Sequence, residues 1–201
     1  GQIVLNADAV HSQYGRVGVK LVGTLDNPQA HVFAEHPGLG IGLANLDAAI
    51  TSAPGGYHLK ATGDTDYGPL TADVLLGTRG ETTLTINSAN LGGIDFAGSL
   101  RRSRAGPFVG QLIARGNGLG GVVRLDAQGK YQEALINVRA NDTVLPGKAN
   151  LAIGSAIVDA RVVLYEHPWV VADVQLADTR INSLAIREAR AIVDYRDGRG
   201  Q

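Results

Sequence analysis

A chain of 201 residues is long enough for one sizeable domain or for one segment of an elongated protein. Its 18 Lys and Arg against 19 Asp and Glu leave a net charge of −1, which argues against a dedicated nucleic-acid surface. The absence of cysteine excludes disulfides and thiolate chemistry, and an oxidising compartment is allowed without being indicated.

Charged residues make up only 18%, below the roughly 25% usual for soluble domains, while glycine reaches 27 and aromatics only 5%. Ala, Val, Leu and Ile supply most of the apolar content, a mixture that suits many strands with tight turns. Methionine is missing even at position 1, so the expectation is a mature product or a fragment of a longer chain. No stretch approaches the ~18 uninterrupted apolar residues of a membrane helix. The opening GQIVLNADAV has no signal-peptide pattern, so membrane contact is expected only through parts outside this chain.

Strand rhythm is read from about residue 16 to 195. Over 94–100, Ile94, Phe96, Gly98 and Leu100 fall on one face and Asp95, Ala97 and Ser99 on the other, the two-residue period of a strand with one buried side. Phe108, Gly110, Leu112 and Ala114 follow, then Val123, Leu125 and Ala127 against Arg124, Asp126 and Gln128. Ala134, Ile136, Val138 and Ala140 alternate with Glu133, Asn137 and Arg139, with Leu135 as the exception. Val158, Ala160, Val162 and Leu164 oppose Asp159 and Arg161; Val170, Ala172, Val174 and Leu176 oppose Asp173 and Gln175. Turn-formers separate the runs: APGG, DYGP, AGP, GNGLGG, QGK, LPGK, EHP and RDGRG. Roughly fifteen strands at intervals near 8 to 14 residues, with no sustained helical stripe, predict an all-β chain.

Candidate chemistry is sparse. Asp64 and Asp66 in DTDYGP resemble a small metal or acid–base pair, but a calcium loop needs more acidic ligands and a closing glutamate, and the chain continues Pro69, Leu70. A glycosidase pair on a β scaffold would want aromatic sugar platforms, and none cluster nearby. A turn with strand ends is the expectation. GNGLGG matches G-x-G-x-x-G at Gly116, Gly118 and Gly121, yet the dinucleotide fingerprint must open a helix, and VVRLDAQ reads as a strand. His11, His31, His36, His58 and His167 show no metal-ligand spacing and are expected in solvated loops. No G-x-S-x-G elbow is present. The basic RRSR at 101–104 is expected as a solvated turn, and Asn141-Asp142-Thr143 formally fits a glycosylation sequon.

Several blocks taken together, in order, resemble the C-terminal β-rich region of the TamB (translocation and assembly module) family, within the AsmA-like lipid-transfer superfamily. They are ATGDTDYGPL (61–70), GIDFAGSL (93–100), AGPFVGQLIARGNGLGGVVRLDAQGKYQEA (105–134) and LPGKANLAIGSAIVDARVVL (145–164). VVADVQLADTRINSLAIREARAIVDYRDGRG carries the likeness to position 200. It is strongest over residues 45–200 and thin before that; members of the family are far longer. The resemblance implies a sheet folded lengthwise into an open trough with an apolar inner face, in a protein anchored in the inner membrane of a Gram-negative envelope and crossing the periplasm. It also implies phospholipid movement between the membranes, outer-membrane protein assembly, and a TamA-like barrel protein as partner.

The resulting expectation is one elongated β-groove segment over 1–201, non-catalytic, with neither cofactor nor metal and no nucleic-acid partner. Phospholipid acyl chains would run along Ile94, Phe96, Leu112, Val123, Leu125, Ile136, Val138, Val162, Leu164, Val174 and Leu176. A β-solenoid adhesin or passenger domain is the alternative, although irregular intervals and absent side-chain ladders disfavour it. A β-scaffold glycosidase is a distant third.

Overall fold

The computed structural model describes residues 1–38, 41–148, 150–164, 168–196 and 199–200. Among them no helix occurs, and fifteen strands follow one another. They are β1 (Gln2–His11), β2 (Gly15–Thr24), β3 (Pro28–Ala34), β4 (Ala44–Ala53), β5 (Gly56–Thr65), β6 (Gly68–Gly77), β7 (Thr83–Leu91) and β8 (Ile94–Arg102). β9 (Phe108–Gly116), β10 (Leu119–Gln128), β11 (Tyr131–Leu145), β12 (Leu151–Val163), β13 (Trp169–Ile181), β14 (Leu184–Arg196) and the two-residue β15 (Arg199–Gly200) complete the series.

All fifteen belong to one sheet whose spatial order is the chain order, every neighbouring pair antiparallel. The first and last strands do not pair, so the sheet is not closed into a barrel. Short connections make this meander possible: two turn residues, Asp66 and Tyr67, suffice between β5 and β6, where the Thr65 hydroxyl donates to the Gly68 carbonyl oxygen. At about 4.8 Å per strand, the sheet measures on the order of 65 Å across its strands.

An open sheet exposes more of itself than a compact one. The accessible surface is 12329 Å² for 21.0 kDa, whereas a compact monomer of that mass shows roughly 9,000 Å². Fully buried apolar side chains are few and mostly alanine, including Ala34, Ala48, Ala61, Ala114, Ala140, Ala156 and Ala172.

The four strands β11–β14 are longer than those before them, and they turn. Asp142 (φ 47°) and Asp178 (φ 47°) are left-handed inside β11 and β13. The registers skip Asp142, Gly154 and Asp178 at one level, between the rungs Asn141–Ser155–Ala177 and Thr143–Ile153–Thr179. At this line the buried side changes phase by one residue: Ala140 is buried, Asn141 and Asp142 are exposed, Thr143 is buried again. Beyond it the chain crosses the hairpin turns of earlier strands. Asn117 donates its side-chain amide to the Val144 carbonyl oxygen, and a Cβ on Gly92 would lie 3.6 Å from Leu145, one on Gly68 3.4 Å from Pro146.

Two expectations are corrected. A strand precedes residue 16: β1 pairs with β2 over ten unbroken rungs. His31 and His58 sit within β3 and β5, and His11 ends β1, stacked on Tyr14 at 4.8 Å, so these three are not loop histidines. His167, with the EHP turn around it, lies outside the described residues.

Candidate functional site: an uncharged sheet face

Alternation puts each residue of a strand on one of two faces, and pairing then links those residues across the sheet. One rung begins Ala7–Val19–Val32–Ala48–Ala61–Ala72–Ala89. It continues Phe96–Ala114–Gly121–Val138–Val158–Val174–Ala191, spanning β1 to β14 without a polar side chain. The next rung on the same face begins Leu5–Leu21–Ala30–Ile50–Leu59–Val74–Ile86. It ends Gly98–Leu112–Val123–Ile136–Ala160–Ala172–Val193, again entirely apolar. A third carries Leu84–Leu100–Gly110–Leu125–Ala134–Val162–Val170. These three rungs hold no Asp, Glu, Lys or Arg; on the same face Arg102 closes β8, and Asp142, Asp178 and Arg187 fall at its phase only at the line where the buried side changes.

Ten of the eleven residues expected to line a path therefore share this face: Ile94, Phe96, Leu112, Val123, Leu125, Ile136, Val138, Val162, Val174 and Leu176. Leu164 does not join them in a strand. It follows the end of β12, 53% exposed, its backbone N–H donating to the Gln132 carbonyl oxygen. Of the ten, only Ile94 is fully buried; Phe96, Leu112, Val123, Ile136, Val138 and Val174 are half-buried. Neighbours within a sheet shield one another sideways, and a second layer packed on top would bury such central positions much further.

The opposite face is charged, and several of its charges are paired. His31 Nε2 lies 2.9 Å from Asp47, and His58 Nε2 lies 2.8 Å from Asp73, which also accepts from Asn87 at 2.8 Å. Further along, Arg139 pairs with Asp159 at 2.9 Å and Arg190 with Asp173 at 2.7 Å, while Arg161 pairs with Glu133. The Arg139 and Asn137 donors hold the Asp159 carboxyl below the usual carboxylate range, and Arg190 does the same to Asp173. Asp73 is lowered first by the Asn87 amide and then by His58.

Asp66 is in the β5–β6 turn, and Asp64 accepts from the Asn45 amide at 2.9 Å. Gly116, Gly118 and Gly121 surround the β9–β10 turn and the start of a strand, not a helix. Arg101 and Arg102 end β8, Arg101 pairing with Glu81 at 3.2 Å. Among the described residues no three His, Asp or Glu are grouped to hold a metal ion.

Sequence reasoning missed the alanine rungs of β1–β6, although the period of two through Leu5, Ala7 and Ala9 and through Val17, Val19 and Leu21 carries that signal. No family model, curated protein or solved structure matches this chain.

Proposed function

We propose that this chain is a non-catalytic segment of a cell-envelope biogenesis protein of the TamB kind, whose uncharged face lines an open trough for phospholipid acyl chains. The observation that carries the reading is the pair of apolar rungs running from β1 to β14 without a charge. At about 4.8 Å per strand and 3.3 Å per residue, two rungs across fourteen strands cover roughly 900 Å², against the roughly 300–600 Å² of the largest apolar patch on an ordinary monomer. A surface that size needs an apolar occupant. Small Ala, Val and Leu side chains make it smooth, which suits flexible acyl chains better than one shaped ligand. In this reading the segment lies in the periplasm, phospholipid or nascent outer-membrane strands travel along it, and anchoring and a TamA-like barrel partner belong to regions outside the chain.

The test places a carboxylate on the path. Val138→Asp in a closed core would bury an unpaired charge at a cost of several kcal/mol, and the protein would melt many degrees lower. On an open face the charge reaches water. The expected outcome is a normal melting curve together with loss of the phospholipid that mass spectrometry detects on the purified wild-type protein. A steep fall in melting temperature refutes the open trough; normal folding with undiminished lipid refutes the lipid path.

A further inference from the structure

We propose that the rim formed by the β6–β7, β8–β9 and β10–β11 turns binds phosphate headgroups and selects anionic phospholipids over zwitterionic ones. The inference rests on reading the apolar face as a lipid path, and it names which lipid. The two long rims of the sheet, where its turns lie, differ in charge and in cover. On one rim, the turns at 66–67, 92–93 and 117–118 hold no Lys or Arg. The β11–β12 hairpin crosses them: a Cβ on Gly118 would stand 3.0 Å from the Thr143 hydroxyl, one on Gly92 3.6 Å from Leu145 and one on Gly68 3.4 Å from Pro146. On the other rim, a Cβ on Gly80, Gly106 or Gly129, one in each of three successive turns, would meet nothing within 4 Å. This open rim carries Arg79, Arg101, Arg102, Arg104 and Lys130, all exposed, against Glu81.

The charges of this rim are arranged for an anion from outside. Glu81 is taken by Arg101 at 3.2 Å, and Arg101 belongs to the charged face. Asp126 and Glu133 also stand on that face, Glu133 paired with Arg161. Arg79, Arg102, Arg104 and Lys130 have no carboxylate partner among the described residues. Arg102 decides the site. Alternation sets it on the apolar face, opposite Phe108 and one step outward from Leu100. Its Nε donates to the Gly106 carbonyl oxygen at 3.2 Å, which ties the guanidinium to the β8–β9 turn. A guanidinium at the end of an apolar strand face matches what a phospholipid presents, a phosphate where the acyl chains begin. Successive turns on this rim lie two strands, about 10 Å, apart, so Arg79 and Lys130 extend the same recognition to either side. The ammonium of a zwitterionic head would meet these cations like against like, whereas a head charged only at its phosphate would not.

Lipid exchange with mixed vesicles tests it. The 201-residue protein is incubated with vesicles of equal phosphatidylglycerol and phosphatidylethanolamine, re-isolated, and its retained lipid counted by mass spectrometry. The wild type should hold phosphatidylglycerol over phosphatidylethanolamine by about tenfold. Arg102→Gln combined with Arg104→Gln should bring that ratio close to parity. Arg79→Gln combined with Lys130→Gln leaves the Arg102 hydrogen bond in place and should lower the ratio less, by about threefold. Arg16→Gln combined with Arg115→Gln removes the same charge from the opposite rim and should leave the ratio as it was. Equal retention of both lipids by the wild type overturns the proposal and leaves the lipid path standing. So does a ratio that falls alike in all three double variants, since it would report net charge alone. Retention of no lipid overturns the lipid path and this selection with it. Inorganic phosphate should show no saturable binding to the lipid-free protein by calorimetry. Saturable binding that R102Q/R104Q abolishes would make the rim a site for free phosphate and overturn the headgroup assignment.

Discussion

The strands β1–β10 and the strands β11–β14 solve one problem with different residues. In both regions the backbone must reverse its ordinary handedness without breaking the apolar face. In the first region glycines do most of this: Gly98 (φ 153°), Gly110 (φ 144°) and Gly116 (φ 135°) lie inside or at the end of β8 and β9, with Asn45 (φ 52°) at the bulge of β4 as the exception. In the second, positive φ inside the strands falls on Asp142 and Asp178, both at 47°. The two values are not interchangeable. Near 47° lies the small left-handed well that Asp and Asn tolerate; near 144° only glycine is at ease. The glycines let adjacent strands approach where a Cβ has no room, and the aspartates turn strands that outrun the hairpins beside them. Replacing one kind should therefore be costly everywhere, and replacing the other should depend on the substitute.

The largest expected effect breaks the glycine side. A Cβ on Gly110 would run into the Ser99 carbonyl oxygen and stand 3.1 Å from the Cα and Cδ2 of Leu100, which is itself buried. Gly110→Ala adds backbone strain to that overlap and should cost about 3 kcal/mol or more. Urea denaturation followed by circular dichroism reads it as a lower midpoint. An unchanged midpoint would mean that the close approach of β8 and β9 is not needed.

How much of this was legible beforehand differs with the kind of feature. Side-chain alternation reports directly which residues share a face, so Phe96, Val138 and Val174 could be grouped without any structure. The Asp66–Tyr67 turn is local chemistry and was legible for the same reason. β1 was obscured because Ile3, Val4 and Leu5 are apolar in succession, which hides the period of two. The His31–Asp47 and His58–Asp73 pairs are 16 and 15 residues apart and depend on hairpin register, which no single strand encodes. The bend was hidden because Asp142 and Asp178 look like any polar residues of an exposed face. Its faint trace is the slip from Ala140 to Thr143, three residues where alternation wants two. Alternation also says nothing of what covers a face, and so the occupant of the apolar side could not be read from it.

The middle-sized effect sharpens the aspartate side. Asp142→Val places a β-branched residue in the left-handed well, at a cost of about 1–2 kcal/mol. Asp142→Gly removes the steric term and adds unfolded-state entropy, terms that nearly cancel at about 1 kcal/mol each. Stability by denaturant titration should rank Asp142→Gly close to wild type and Asp142→Val clearly below it. Equal losses for the two would show that the aspartate side chain, not the left-handed backbone, holds the bend.

The smallest effect compares how the two regions hold their charged face. Asp73 in β6 is lowered first by the neutral Asn87 amide, whereas Asp159 in β12 and Asp173 in β13 are lowered first by arginines. A carboxyl whose folded pKa is depressed stabilises the protein fully above its unfolded value, about 3.9. That stability is lost as pH falls through the folded value. Acid unfolding should therefore begin below about pH 4, where these carboxylates take up protons. Removing an arginine partner lessens the depression, so the proton is taken up at higher pH and the acid midpoint moves upward. Arg190→Gln should raise it by a fraction of a pH unit, a modest shift because the Arg190–Asp173 pair is half-exposed and screened by solvent. Added salt should shrink the Arg190→Gln effect and leave that of Asn87→Ala nearly as it was, because an amide donor carries no net charge to screen. Acid titration followed by circular dichroism at low and high ionic strength reads both. If salt diminished the two equally, the division between an amide-held and an arginine-held charged face would fail.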